Sequence, residues 1–262
     1  MSGTETITHA MILAAGRGER MRPLTDTTPK PLLSVRGKPL IAWHLEAMAA
    51  AGIHHVVINL AYLGEQIKAF VGSGDRFGLS VRFSQEPPGA LETAGGIAQA
   101  QPWLSSDNAS DNASDNAQQP QPFLVLNADI WTDWPLAYAH HIRKTFFVSP
   151  ASSCRCHLIM VDNPVHHPEG DFSLRGEAIG PKNPSGNLTF SGIGVYDPRM
   201  FSTIAPGQRA ALAPLLTQMI AQGLCTGSHH RGLWSDVGSP ERLMDLNQEP
   251  RDTKSPTESG QE

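Results

Sequence analysis

An α/β fold built on a mostly parallel sheet is what this sequence predicts, and three observations carry that expectation. The apolar run 10–14 (AMILA) has the length of a buried strand and leads straight into a glycine-rich basic loop. Apolar strands and amphipathic helices then alternate through residue 84, the pattern of βαβ crossovers. At 262 residues the chain is ample for a substantial core. In such sheets ligands sit beyond the carboxyl ends of the strands, where the loop starting at Ala15 would lie.

Residues 39–51 (PLIAWHLEAMAAA) have helical spacing, with Leu40, Trp43, Leu45 and Met48 on one broad apolar face. Proline suits the first turn of that helix and Gly52 its end. Residues 55–60 (HVVINL) read as a second buried strand, and 63–71 as a short helix stopped by Gly72-Ser73-Gly74. Residues 79–84 (LSVRFS) alternate as a third strand. A loop shaped by prolines and glycines, 85–96 (QEPPGALETAGG), would open a helix at Thr93.

Residues 106–117 are SDNA written three times, followed by QQPQP. Small polar residues offer nothing to build a core, so about 105–122 is expected to be a disordered surface insertion. Further strands are expected at 123–127 (FLVLN), 156–161 (CHLIMV) and 188–196 (LTFSGIGVY). A helix over 212–222 places Leu212, Leu215, Leu216, Met219 and Ile220 on a core face. Residues 234–241 (WSDVGSPE) read as a strand end, a turn and a proline-initiated helix. One domain is expected over 1–248, with a polar, disordered tail over 249–262.

The 20 basic and 25 acidic residues give a net charge of −5, without the lysine/arginine block that a nucleic-acid-coating protein needs. A basic loop on a mildly acidic chain suits a small anionic ligand instead. No apolar run approaches the roughly 20 residues of a membrane span, and the N-terminus lacks the pattern of a secretory signal. Neither nucleic acid nor membrane is expected as a partner. Three cysteines, Cys154, Cys156 and Cys225, are too few and too irregular for a disulfide framework, and read as buried thiols in a reducing cytoplasm. The 11 histidines, many in adjacent pairs, lack zinc-ligand spacing and read as surface or loop residues.

The chemistry concentrates in residues 10–38. Glycines let backbone N–H groups approach phosphate oxygens, and arginine and lysine neutralise charge there. Gly16-x-Gly18 lacks the third glycine of a dinucleotide fingerprint, and no Gly-Lys-Ser/Thr follows to make a P-loop. By itself the loop reads equally as an ordinary strand-to-helix turn. Asp129, directly after a core strand, is either a Mg²⁺ ligand or a turn residue.

The whole stretch is more specific than its glycines. Leu13-Ala14-Ala15-Gly16-x-Gly18-x-Arg20-Met21, with Pro23-Leu24-Thr25 and Pro29-Lys30-Pro31, resembles the N-terminal signature of the sugar-1-phosphate nucleotidyltransferases. Leu91-Glu92-Thr93-Ala94-Gly95 resembles that family's base-reading Leu-Gly-Thr segment, with Glu92 where glycine is usual. Asn127-Ala128-Asp129 resembles its metal-binding Gly-Asp segment, with alanine for glycine. Trp234-Ser235-Asp236-Val237-Gly238-Ser239-Pro240 resembles the segment that gives the metal its second carboxylate. Phe190-Ser191-Gly192 stands where Asn-Thr-Gly is frequent, so the usual asparagine sugar contact is missing.

That resemblance implies a Rossmann-like three-layer sandwich with a mostly parallel mixed sheet, of the glycosyltransferase-A-like kind. It implies an enzyme whose partners are a nucleoside triphosphate and a sugar 1-phosphate, and whose cofactor is Mg²⁺. Arg20 and Lys30 would be catalytic, and Asp129 and Asp236 would hold the metal. Leu13, Ala14, Ala15, Gly16, Gly18, Lys30, Glu92, Thr93 and Asn127 would bind the nucleotide. Gly170, Asp171, Ser191 and Gly192 would meet the sugar phosphate. The parts suit metal-assisted attack of a sugar phosphate on a triphosphate's α-phosphorus, releasing pyrophosphate. A nucleotide-sugar-binding regulatory protein is the alternative class, and a binding domain has no need of both carboxylates. No repeat module follows residue 248, and a monomer is expected.

Overall fold

A computed structural model of the chain describes residues 6–87, 89, 91–104, 121–146, 154–184 and 186–248. The SDNA repeat and the tail from 249 lie outside the described residues. Gln121, at the end of the expected insertion, accepts a 2.5 Å hydrogen bond from Arg143.

Strand β1 (His9–Leu13) leads through three short 3₁₀ turns to the hairpin β2 (Ser34–Val35) and β3 (Lys38–Pro39). There follow α1 (Leu40–Ala50), β4 (His55–Leu60), α2 (Gly64–Val71), β5 (Ser80–Gln85) and α3 (Glu92–Leu104). Next come β6 (Phe123–Asn127), β7 (Ile130–Thr132), α4 (Tyr138–Thr145) and β8 (Cys156–Val161). The last third holds β9 (Ser173–Arg175), β10 (Ala178–Gly180), β11 (Thr189–Tyr196), α5 (Leu212–Ala221), β12 (Cys225–His229), β13 (Trp234–Asp236) and α6 (Pro240–Gln248).

Nine strands form one sheet in the order β5-β4-β1-β6-β11-β8-β12-β10-β9. Only β10 and β11 run against the other seven, so the sheet is mixed and mostly parallel. Alternate residues of each strand serve opposite layers, as the period of two requires. Ala10, Ile12, Val56, Ile58, Leu124 and Leu126 pack with Leu45, Met48, Ile67 and Ile142 of α1, α2 and α4. Met11, Val57, Phe123 and Val125 face Ile97, Leu216 and Met219 of α3 and α5. This is the expected three-layer sandwich. A smaller cluster, including Met21, Val35, Leu40, Trp131, Val237 and Leu243, packs the N-terminal loop against the C-terminal segment.

Several bounds differ from expectation for local reasons. The helix expected at 63–71 starts at Gly64, because Leu63 adopts a left-handed φ of 51°. Helix α3 starts at Glu92, so Thr93 is inside its first turn and is not an N-cap. Strands β7, β9, β10 and β12 have three to five residues each, too few for alternation to reveal them, while β13 falls where a strand end was expected.

Candidate active site

At the carboxyl ends of β1 and β6 lies a cavity of about 510 Å³. Its wall includes Leu13, Ala14, Ala15, Gly16, Gly18, Arg20, Lys30, Glu92, Thr93, Asn127 and Asp129, so the expected nucleotide loop, base segment and first metal ligand converge there. A second cavity of about 500 Å³ shares Leu13, Glu92, Thr93 and Asn127 with the first. It adds Asp171 and Gly192, and an apolar wall that includes Phe172, Phe190, Leu212 and Leu216. The two cavities adjoin through these shared residues.

Lys30 is buried at the start of a 3₁₀ turn, and its Nζ donates to Oδ2 of Asp129 at 2.5 Å. Gly18, at φ 65°, passes so close that a Cβ there would lie 3.0 Å from Thr25 Cγ2 and 3.3 Å from Lys30 Cβ. Only a residue without a side chain lets the loop lie on the lysine stem in that conformation. Arg20, in contrast, is exposed on the cavity rim, and no described side chain pairs with it.

The second carboxylate arrives from the far end of the chain. Strands β7 and β13 pair antiparallel with Ile130 opposite Asp236, and the Val237 N–H donates to the Asp129 carbonyl at 2.8 Å. Gly238, two residues beyond Asp236, lines the first cavity. Arg242 Nη1 donates to both Asp236 oxygens at 2.5 and 2.6 Å, and His166 Nε2 lies 3.1 Å from Oδ1. Each carboxylate thus faces a protein cation.

Among the described residues no group of three or more His, Cys, Asp or Glu is placed to hold a metal by itself. Asp129, directly before β7, and Asp236, at the end of the paired strand β13, are residue types that fit Mg²⁺, a hard cation that takes one or two carboxylates and completes its shell with phosphate oxygens and water. Beneath them, burial lowers His44 to about 4, with the Asp129 charge opposing, so this imidazole is neutral near pH 7.

Two further buried groups tie the site together, and sequence reading missed both. Asn59 Oδ1 accepts the Ala14 N–H at 2.7 Å, and Asn59 Nδ2 donates to Glu86 Oε1 at 2.6 Å. The other Glu86 oxygen accepts the Leu91 N–H at 2.7 Å. The glycine-rich loop after β1 and the segment that leads into α3 are thereby held by one side-chain pair. A carboxylate directly after an alternating strand was the available signal.

The sugar-phosphate residues divide. Asp171 lines the second cavity, with its oxygens held 3.0 Å from His167 Nε2 and 2.8 Å from the Phe190 N–H. Gly192, at φ 82°, also lines it, pressed against the Asn127 amide. Gly170 and Ser191 are buried and line neither cavity. Gly170 is needed where a Cβ would lie 2.9 Å from the Leu188 carbonyl oxygen.

Residues 9–159 match the model of the nucleotidyl transferase family. The chain is 48% identical over 238 residues to N-acetylmuramate alpha-1-phosphate uridylyltransferase of Neisseria meningitidis serogroup B, an alignment covering 90% of this chain and 95% of that protein. Identity is 30% over 241 residues to the protein of the same name from Caulobacter vibrioides, covering 90% and 93%. A candidate glucose-1-phosphate thymidylyltransferase from Bacillus anthracis superposes with a TM-score of 0.73 over 91% of this chain and 93% of its own. At 19% identity that likeness speaks for the fold alone.

Proposed function

The chain belongs to the nucleotidyl transferase family and is a nucleotidyltransferase, and we propose that it transfers the uridylyl group of UTP to N-acetylmuramate 1-phosphate. The products are UDP-N-acetylmuramate and pyrophosphate, a reaction of peptidoglycan recycling. The observation that carries this reading is the convergence of Lys30, Asp129 and the Ala14–Gly18 loop on one cavity that opens into a second. The choice of sugar and base rests on the two relatives of that activity, and the second cavity presents Phe190 where the family segment usually has an asparagine sugar contact.

In this mechanism an oxygen of the sugar phosphate attacks the α-phosphorus of UTP. A new O–P bond forms as the bond to the β-phosphate oxygen breaks, and pyrophosphate leaves. No protein nucleophile is required, because the phosphate oxygen is already ionised near pH 7. Backbone N–H groups of the loop through Gly18 hold the triphosphate, and Arg20 and Lys30 offset the repulsion of two anions. Bound Mg²⁺, held by Asp129 and Asp236, would neutralise charge that develops on the phosphates. Lys30 exchanges its Asp129 partner for a phosphate oxygen when the triphosphate enters.

Three free cysteines and the need for UTP suit the cytoplasm. Pyrophosphate release with Mg²⁺, measured over a panel of triphosphates and sugar 1-phosphates, tests the assignment. The highest kcat/KM is expected for UTP with N-acetylmuramate 1-phosphate. A higher value for a hexose 1-phosphate with dTTP or GTP would favour a thymidylyl- or guanylyltransferase. No release with any pair would favour a binding protein.

A further inference from the structure

Three non-glycine residues adopt left-handed φ among the described residues: Arg36, Leu63 and Glu92. Of these, Glu92 lines both cavities of the site, and Arg36 and Leu63 line neither. Its φ is 59°, at a position where the resembling family segment carries glycine, the residue that adopts this conformation without strain. Strain kept beside a binding groove indicates a task for the side chain. That side chain holds a cation: Arg209 Nη2 lies 2.7 Å from Glu92 Oε1.

The backbone around Arg209 is fixed to the same segment. The Ala210 N–H donates to the Leu91 carbonyl at 2.9 Å, and the Gly95 N–H donates to the Ala210 carbonyl at 3.0 Å. A Cβ on Gly95 would lie 2.4 Å from the Gln208 carbonyl oxygen, so helix and loop are in direct contact. The next residues, Ala211 to Ala213, form part of the wall of the second cavity. Arg209 therefore stands where base segment and acceptor cavity meet.

Charge makes the position informative. No lysine or arginine lines the second cavity, and its charged lining residues, Glu92 and Asp171, are both acidic. The Asp171 oxygens are engaged by His167 and the Phe190 N–H. A sugar phosphate with an additional carboxylate would meet net repulsion there unless a cation stood at the mouth. Arg209 is the described cation bonded to that lining, and a guanidinium pairs with a carboxylate through two parallel N–H groups.

We propose that Glu92 and Arg209 form an acceptor-specificity device. Glu92 holds the Arg209 guanidinium at the mouth of the second cavity, and Arg209 receives the carboxylate of a sugar 1-phosphate that carries one. The proposal rests on the N-acetylmuramate reading, because a neutral hexose 1-phosphate has no such group. Arg209 acts in binding, so its effect belongs in the acceptor KM and not in kcat.

The test compares wild type, Arg209→Ala, Arg209→Lys and Glu92→Gly, with N-acetylmuramate 1-phosphate and its lactyl methyl ester as acceptors. The ester keeps the bulk and removes the charge. Arg209→Ala is expected to raise KM for the acid about 10-fold, with kcat and the UTP KM within about 2-fold, and to cost nothing with the ester. Arg209→Lys should fall between, because it keeps the charge and loses the two-point contact. Glu92→Gly should raise the acid KM while raising Tm, because strain is relieved as the cation is released. An acid KM unchanged by Arg209→Ala, or an equal penalty with the ester, would overturn the device. If wild type releases no pyrophosphate with the acid, the parent reading falls as well.

Discussion

Nζ of Lys30 lies 2.5 Å from Oδ2 of Asp129, joining a buried cation and a carboxylate 99 residues apart on the cavity wall. A buried ammonium costs several kcal/mol in desolvation unless it is paired, and Asp129 supplies the partner. The same ammonium faces the space where a triphosphate would lie. This pairing holds the lysine side chain in place before substrate arrives.

Lys30→Ala should lower kcat about 10²- to 10³-fold, the scale on which one preorganised donor acts on a developing charge. Circular dichroism should show an intact fold. Turnover near that of wild type would remove Lys30 from the mechanism.

Asp236→Asn should raise the Mg²⁺ concentration for half-maximal activity at least about tenfold, since even outer-shell partners of a metal act on that scale. Titration calorimetry with Mg²⁺ and a non-hydrolysable UTP analogue should show the same loss. An unchanged Mg²⁺ requirement would assign Asp236 to Arg242 alone.

Asn59→Ala leaves the Ala14 N–H and one oxygen of buried Glu86 without their partner. At about 1–3 kcal/mol for each of the two unpaired groups, and about 2–4 °C per kcal/mol at this chain length, Tm should fall by at least about 4 °C and by up to about 24 °C. The KM for UTP should rise with it, because the phosphate loop loses its anchor. Calorimetry and initial rates check both.

Gly18→Ala puts a Cβ 3.0 Å from Thr25 and 3.3 Å from Lys30, in a left-handed backbone. The conformational cost alone is about 1–2 kcal/mol. Activity should fall by more than stability does, because the displaced atoms include the stem of Lys30. Comparing kcat with the denaturant midpoint separates the two effects.

Burial lowers His157 to about 4, while its ring nitrogens lie 2.9 Å from Thr226 Oγ1 and 3.1 Å from Ser228 Oγ. The unfolded chain takes up this proton near pH 6.5 and the folded chain only near 4, so the unfolded state gains as pH falls. Stability from this group should be intact above pH 6.5 and lose about 3 kcal/mol by pH 4. His157→Gln should flatten that part of the pH–stability curve, measured by urea unfolding at several pH values.

Much of this was legible in the sequence. The strands at 123–127 and 156–161 match their expected bounds, because continuous apolar runs between turn residues leave little ambiguity. Family resemblance assigned Lys30 and Asp129 separate roles in one site, and the fold brings them into direct contact. Asn59 and Glu86 were hidden because each looks like an ordinary polar residue at a strand end, and only the folded chain puts 2.6 Å between them. Arg242 was hidden for the same reason: its place on α6 becomes meaningful only when β13 brings Asp236 beside Asp129. Gly170 and Ser191, expected from the family resemblance, are buried and line neither cavity, because burial is set by the packing of strands distant in sequence.

Transfer of label from UTP carrying ³²P at the α-position tests the central claim most directly. Incubated with Mg²⁺ and N-acetylmuramate 1-phosphate, the wild-type protein should move the label into the nucleotide sugar and release unlabelled pyrophosphate. Lys30→Ala should slow that transfer about 10²- to 10³-fold. Label retained on the protein, label in pyrophosphate, or equal rates for wild type and Lys30→Ala would contradict the account.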